Sequence, residues 1–201
     1  MDLVVVALTF GAIFVVELPD KTFIATLVLS TKFRPLLVWI GVGLAFAVQT
    51  AVAVVLGKAV GLLPETVVHV GTALMFLVGA VILLRTAGSA DEDEAESESE
   101  YAAKVSSDAA GAARAVATSF LVLFAAEWGD LSQLLTLSLV AKYDDPVSVF
   151  VGAWGALLTV SGLAVIVGRV LLNHVRLSVL HYVGAAVCVL MSALTIWELA
   201  S

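Results

Sequence analysis

The sequence predicts an all-α integral membrane protein of six transmembrane helices, built as two inverted three-helix repeats. Three observations carry this prediction. Hydrophobic residues make up 61% of the 201 and charged residues 13%, with a mean hydropathy of +1.09, whereas roughly a quarter of a soluble domain is charged. Six apolar runs, at about 3–30, 36–63, 67–86, 112–140, 147–172 and 177–199, each approach or exceed the ~20 residues that a helix needs to cross a bilayer. Finally, the polar landmarks of the first half recur in order in the second.

The chain opens on Met1-Asp2 and runs straight into the first apolar segment, without the basic stretch and small-residue cleavage site of a signal peptide. That segment is therefore expected to be a transmembrane helix of the mature protein. Inside it lies Glu17-Leu18-Pro19-Asp20-Lys21-Thr22, a polar cluster where ionisable groups are costly and retained for a use. Lys32-Phe33-Arg34-Pro35 makes a short basic turn, with Pro35 opening the second helix. Gly61 to Pro64 ends that span, and the third finishes near Arg85.

From Gly88 to Asp108 the composition changes. Eight of the seventeen acidic residues fall between Asp91 and Asp108, so the formal charge of −7 belongs to this loop and says little about partners. Such a run repels itself and has no apolar face to bury. The chain is accordingly divided into a first three-helix repeat (1–87), an acidic linker (88–111) and a second three-helix repeat (112–201).

The fourth apolar run carries Glu127-Trp128-Gly129-Asp130-Leu131-Ser132-Gln133. Glu17, Asp20, Thr22 and Lys32 correspond to Glu127, Asp130, Ser132 and Lys142 at an offset of 110, while Pro35, Gly57 and Lys58 correspond to Pro146, Gly168 and Arg169 at 111. His69 and Gly71 fall near His181 and Gly184. Each half crosses the membrane an odd number of times, so the halves are inverted relative to each other, an architecture of transporters with the site at the midplane. Lys32, Arg34, Arg85, Lys104, Arg114, Arg169 and Arg176 fall on one side, and only Lys58 and Lys142 flank the other. The excess of basic residues marks the cytoplasmic side, which puts the linker in the cytoplasm and both termini outside a cell membrane crossed several times. Trp39 and Trp197, near span ends, suit interfacial anchoring. The lone Cys188 reads as a small buried apolar residue.

On a continuous helix, residues i and i+3 share a face, so Glu17 with Asp20, and Glu127 with Asp130, would each present two carboxylates to one side. Four carboxylates crowded in low dielectric cannot all stay ionised unless a cation neutralises them. Hard oxygen ligands without Cys or His favour Ca²⁺, Mn²⁺ or Mg²⁺ over zinc or copper. Thr22, Ser132 and Gln133 add neutral oxygens. Pro19 cannot donate to the carbonyl of Val15, and Gly129 loosens the matching turn, so backbone carbonyls such as that of Val15 are further candidate ligands. Lys21 is spaced to pair with Glu17; the second motif has Leu131 there instead. Gln49 and Thr50, with Thr159 and Ser161, are candidate pathway residues, although buried hydroxyls more often bond their own helix. His69, His174 and His181 lie near span ends, where structural placement is expected.

The two motifs resemble the paired Glu-x-Gly-Asp-(Lys/Arg)-(Thr/Ser) signatures of the Golgi-type Ca²⁺/Mn²⁺:H⁺ antiporter family, whose relatives include thylakoid and bacterial manganese transporters. The likeness extends over essentially the whole chain, with Pro19 replacing the first Gly and Leu131 the second basic residue. It implies that Glu17, Asp20, Glu127 and Asp130 bind the cation. The expected function is a secondary transporter exchanging Mn²⁺ or Ca²⁺ for protons: not an enzyme, and with no cofactor besides the transported ion. Its expected partners are the divalent cation, protons and the lipid bilayer, not nucleic acid. Two alternatives stand beside it. A six-span exporter of small organic solutes fits the repeats, though four carboxylates disfavour an anionic or zwitterionic solute. An intramembrane aspartyl protease would use Asp20 and Asp130 as a dyad, although its Gly-x-Gly-Asp signature is not met at Glu127.

Overall fold

The computed structural model describes residues 1–18, 20–89, 99–100, 111–174 and 177–200, without the side chains of 167–174, 177, 180, 198 and 200. Pro19 and nearly all of the acidic linker 88–111 lie outside the described residues. Among those described there are eight helices and no strand: α1 (Leu3–Glu17), α2 (Lys21–Lys32), α3 (Pro35–Val60), α4 (Glu65–Thr86), α5 (Ala112–Ala126), α6 (Leu131–Tyr143), α7 (Pro146–His174) and α8 (Leu177–Ala200).

The starts and stops follow from residue type. Asp2 caps α1 by accepting from the Val4 N–H at 2.8 Å. Pro35 occupies the first turn of α3, where its missing N–H has no partner to lose. Asp145, just before Pro146, accepts from the Ser148 N–H at 3.0 Å and the Ser148 hydroxyl at 2.5 Å, and these bonds hold its carboxyl below the ordinary aspartate range. The Asp2 N–H donates to Asp145 at 3.1 Å and to Ser148 at 2.7 Å, which ties the start of α1 to the start of α7.

Two of the expected spans are not single helices. The run expected at 3–30 is divided into α1 and α2, inclined by 72°, and the run expected at 112–140 into α5 and α6, inclined by 74°. Both breaks fall on the acidic motifs. In the second, Gly129 takes φ +80°, a conformation that costs little only without a Cβ, and Asp130 then caps α6 in an extended conformation. Pro35–Val60, Glu65–Thr86 and Pro146–Ile166 are each long and apolar enough to cross a membrane; counting each bent pair as one span makes five among the described residues. The chain is a membrane protein. Exposed Leu36, Ile40, Leu44 and Val48 form an outward stripe on α3, opposite buried Val38, Val42, Ala45, Phe46 and Gln49, as expected when the surrounding solvent is hydrocarbon.

The helices approach most closely at glycines, and the two halves use matching ones. A Cβ on Gly41 of α3 would collide with the Val116 carbonyl and Ser119 of α5, while one on Gly152 of α7 would sit 2.6 Å from the Val6 carbonyl and 2.9 Å from Thr9 of α1. Gly41 and Gly152 are 111 residues apart, and the residues they meet are 110 apart. Stacked rings repeat the correspondence, with Phe10 on Phe14 at 5.7 Å and Phe120 on Phe124 at 5.4 Å. Trp39 donates its indole N–H to the Leu158 carbonyl at 3.0 Å, and Trp154 donates to the Gly43 carbonyl at 3.0 Å, so both tie α3 to α7. Cys188 is fully buried against the core, as its composition suggested.

Overpacking a tight site costs about 1–3 kcal/mol, more where the obstacle is backbone. Gly152→Val is therefore expected to lower the thermal unfolding midpoint in detergent by several degrees. Gly71→Ala, at a site with open space for a Cβ, should leave the midpoint unchanged or raised.

Candidate functional site

The two helix breaks meet inside the bundle. Glu17 is the last residue of α1 and Asp20 immediately precedes α2, while Glu127 follows α5 and Asp130 caps α6. Each pair thus comes together through a bend, not through the i, i+3 spacing of a continuous helix that the sequence suggested. Oxygens from all four carboxylates lie within 4.8 Å of one another. Glu17 is 1% exposed and Glu127 3%; Asp20 and Asp130 are half-buried.

Hydroxyls bridge within each motif. The Thr22 hydroxyl donates to Glu17 Oε1 at 2.8 Å and lies 3.4 Å from Asp20 Oδ2. Ser132, its counterpart, lies 3.3 Å from Asp130 through its hydroxyl and 3.4 Å through its N–H. These bonds do not satisfy the cluster. Glu17 Oε2 and both carboxylate oxygens of Glu127 are buried without a hydrogen-bond partner. Removing an ionised carboxylate from water without compensation costs several kcal/mol by order of magnitude, so these oxygens call for a cation or a proton. The donor set is entirely oxygen, the kind that hard divalent cations take.

Lys21 is exposed at the start of α2 and forms no ion pair with Glu17 among the described residues. The bend removes the i, i+4 geometry that the pairing needed. Lys21 still stands where Glu127, Asp20, Asp130 and Glu17 all attract its charge. Leu131, at the matching position, packs its methyl groups toward Gly79 of α4.

The remaining candidates separate. Gln133 accepts from the Gly129 N–H at 2.9 Å and donates to the Gln49 carbonyl at 3.4 Å, which braces the second break. Gln49 donates to the Phe124 carbonyl at 3.1 Å. Both amides line a small cavity beside Glu127, together with Thr50, Ser132 and Thr136. Thr136 was missed by sequence reasoning; its signal was its place one turn beyond Ser132. Val15 is not brought to the carboxylates by any described contact; its carbonyl faces Gly184 of α8. Thr159 and Ser161 bond carbonyls of their own helix, at Gly155 and Leu158. His69 is occupied with the Glu65 carbonyl at 3.0 Å, and the side chain of His174 lies outside the described residues.

The chain is 29% identical to GDT1-like protein 1, chloroplastic, of Oryza sativa subsp. indica, over 96% of its own length and 62% of the relative's. It is 29% identical to protein PAM71, chloroplastic, of Arabidopsis thaliana, over 96% and 56%, and 29% identical to GDT1-like protein sll0615 of Synechocystis, over 69% and 67%. The chain thus spans about three fifths of the length of the chloroplast relatives. No solved structure matches. The profile of the family described as divalent cation/proton antiporter GDT1 matches residues 5–91 and 115–201, segments whose starts and ends are each 110 residues apart, the spacing of the two acidic motifs. On that match the chain belongs to the GDT1 divalent cation/proton antiporter family.

Proposed function

We propose that this chain is a secondary transporter that exchanges a divalent cation, Mn²⁺ or Ca²⁺, for protons, and that Glu17, Asp20, Glu127 and Asp130 hold the cation as its substrate. The observation that carries this reading is the convergence of four carboxylates from two helix breaks, with three of their oxygens buried and unpartnered. Such a cluster needs positive charge, and a divalent cation and protons are two ways of supplying it. The competition between them couples their movements. Thr22 and Ser132 orient the carboxylates, Gln133 braces the second break, and Lys21 offsets part of the negative charge.

The same reading includes two inverted three-helix repeats meeting at the site, with α1–α2, α3 and α4 matched to α5–α6, α7 and α8. The paired glycine crossings and stacked phenylalanines support it. It also includes a cell-membrane protein with the acidic linker cytoplasmic, based on the distribution of basic residues. A cysteine placed at Ser97 in a Cys188→Ala background should be shielded from an impermeant thiol reagent in intact cells and labelled once the membrane is opened. Labelling from outside in intact cells would reverse the orientation.

Transport itself is tested in proteoliposomes carrying the purified chain, with Mn²⁺, Ca²⁺ and Mg²⁺ supplied in turn under an imposed pH gradient. Cation accumulation that follows the gradient and collapses with a protonophore is expected. Flux of an organic solute, with no cation flux, would favour the exporter.

A further inference from the structure

A helix that stops inside an apolar span leaves its last carbonyls, and the first N–H groups of the next helix, without partners, and hydrocarbon supplies none. At the second break two glutamine amides fill that need. The Phe124 carbonyl, which the Trp128 N–H would take on a continuous helix, accepts from Gln49 Nε2 at 3.1 Å. The Gly129 N–H donates to Gln133 Oε1 at 2.9 Å, and Gln133 Nε2 donates in turn to the Gln49 backbone carbonyl at 3.4 Å. Gln49 is buried in α3, so both cut ends are fastened to a helix outside the break. α3 also runs beside the two helices that the break separates. Its Gly41 packs against the Val116 carbonyl and Ser119 of α5 and its Gly57 against the Leu137 carbonyl and Val140 of α6, with Gln49 eight residues from each. α3 is therefore a splint across the second break. At the repeat offset of 111 Gln49 corresponds to Val160 of α7, whose side chain cannot donate, and among the described residues no hydrogen bond from α7 reaches positions 14–18 or 20.

We propose that Gln49 is a positioning residue for Glu127 and thereby helps to decide which divalent cation the site prefers. Glu127 follows α5 three residues beyond Phe124, and neither of its carboxylate oxygens has a hydrogen bond of its own. The carboxylate therefore takes its place from the backbone that carries it. The bond from Gln49 fixes that backbone against α3, and the bonds of Gln133 fix the Gly129 peptide that leads to Asp130. Held in this way, the second acidic pair presents its oxygens at a set separation. Ca²⁺ accepts oxygens in flexible, variable arrangements, whereas a smaller ion needs them closer and in stricter geometry. Freeing Glu127 from α3 thus costs Mn²⁺ more than it costs Ca²⁺.

This inference rests on the reading that the four carboxylates hold the cation, and its test separates the two. Binding of Mn²⁺ and of Ca²⁺ to the purified full chain is measured by calorimetric titration, without transport. Gln49→Met keeps the length of the side chain and loses the donor. It should lower the ratio of Mn²⁺ affinity to Ca²⁺ affinity at least fivefold, and it should change the electron paramagnetic resonance spectrum of bound Mn²⁺, whose fine structure follows ligand symmetry. Gln49→Asn leaves the amide one methylene short of Phe124 and should shift the ratio in the same direction, which keeps the test open if Gln49→Met does not fold. Trp154→Phe removes a different bond to α3, the one to the Gly43 carbonyl; it should lower the unfolding midpoint and leave the ratio within twofold. A folded Gln49 variant with the wild-type ratio and spectrum, or an equal change of ratio in Trp154→Phe, would overturn the proposal. Failure of both Gln49 variants to fold would overturn it too, because Gln49 would then be a structural brace alone. A wild-type chain that binds neither cation would contradict both readings, whereas binding without proton exchange would count against antiport and leave the role of Gln49 standing.

Discussion

Glu127→Gln and Asp130→Asn should each reduce divalent cation transport at least a hundredfold while the helical bundle stays folded. A carboxylate about 4 Å from a unit positive charge contributes roughly 4 kcal/mol at an effective dielectric near 20, and about 1.4 kcal/mol is already tenfold in affinity. The substitutions remove that charge and keep the shape. Folding should tolerate Glu127→Gln because neither oxygen of Glu127 has a hydrogen bond to lose and because the change relieves crowding among four like charges. Glu17→Gln should behave similarly, although its bond from Thr22 makes its loss more structural. The measurement is cation flux in proteoliposomes, with circular dichroism and thermal unfolding as the check on folding. An aspartyl protease would depend on Asp20 and Asp130 alone, so full flux in Glu17→Gln and Glu127→Gln would count heavily against a four-carboxylate site.

The second large effect concerns Leu131. Four carboxylates and Lys21 give the centre a formal charge of −3, which a divalent cation reduces to −1. Lys21 stands within electrostatic reach of all four carboxylates, and Leu131 holds the matching place at the start of α6. An arginine there adds a second positive charge, which lessens the need for both cation and protons. Leu131→Arg should therefore weaken cation binding at least tenfold or lower the number of protons released per cation bound. Because the Leu131 methyl groups pack toward Gly79, part of any loss would come from packing. Leu131→Met, which keeps the volume and adds no charge, isolates that part and should leave affinity within a few-fold. Equal loss in both variants would show that position 131 acts through packing alone.

Much of this centre was legible in the sequence because charge inside an apolar run has few innocent explanations. Glu17, Asp20, Glu127 and Asp130 stood out for that reason, and their common spacing tied them to one another. What spacing did not convey was the break between members of each pair. A period of 3.6 residues places Glu17 over Asp20 on an intact helix, yet the chain bends by 72° between α1 and α2 and by 74° between α5 and α6. Pro19 and Gly129 were the residue types that hinted at an irregular turn in each motif, and in the second break Gly129 takes a positive φ. The Gln49–Gln133 contact was invisible for a different reason. It joins residues 84 apart in sequence through a side chain and a backbone carbonyl, and no periodicity encodes such a pairing. The hydrogen bond from Trp39 to the Leu158 carbonyl was equally invisible, because it joins residues 119 apart across the bundle.

Proton release on cation binding tests the central claim most directly. Purified chain in weak buffer, between about pH 6 and pH 8, is titrated with Mn²⁺ or Ca²⁺ while the solution pH is followed. Crowded carboxylates that are neutralised by protons in the absence of cation must surrender protons as the cation loads. The account predicts saturable acidification that tracks cation occupancy and is lost in Glu127→Gln. Cation binding at the same carboxylates with no proton released anywhere in that range would contradict antiport and leave a uniporter as the better description.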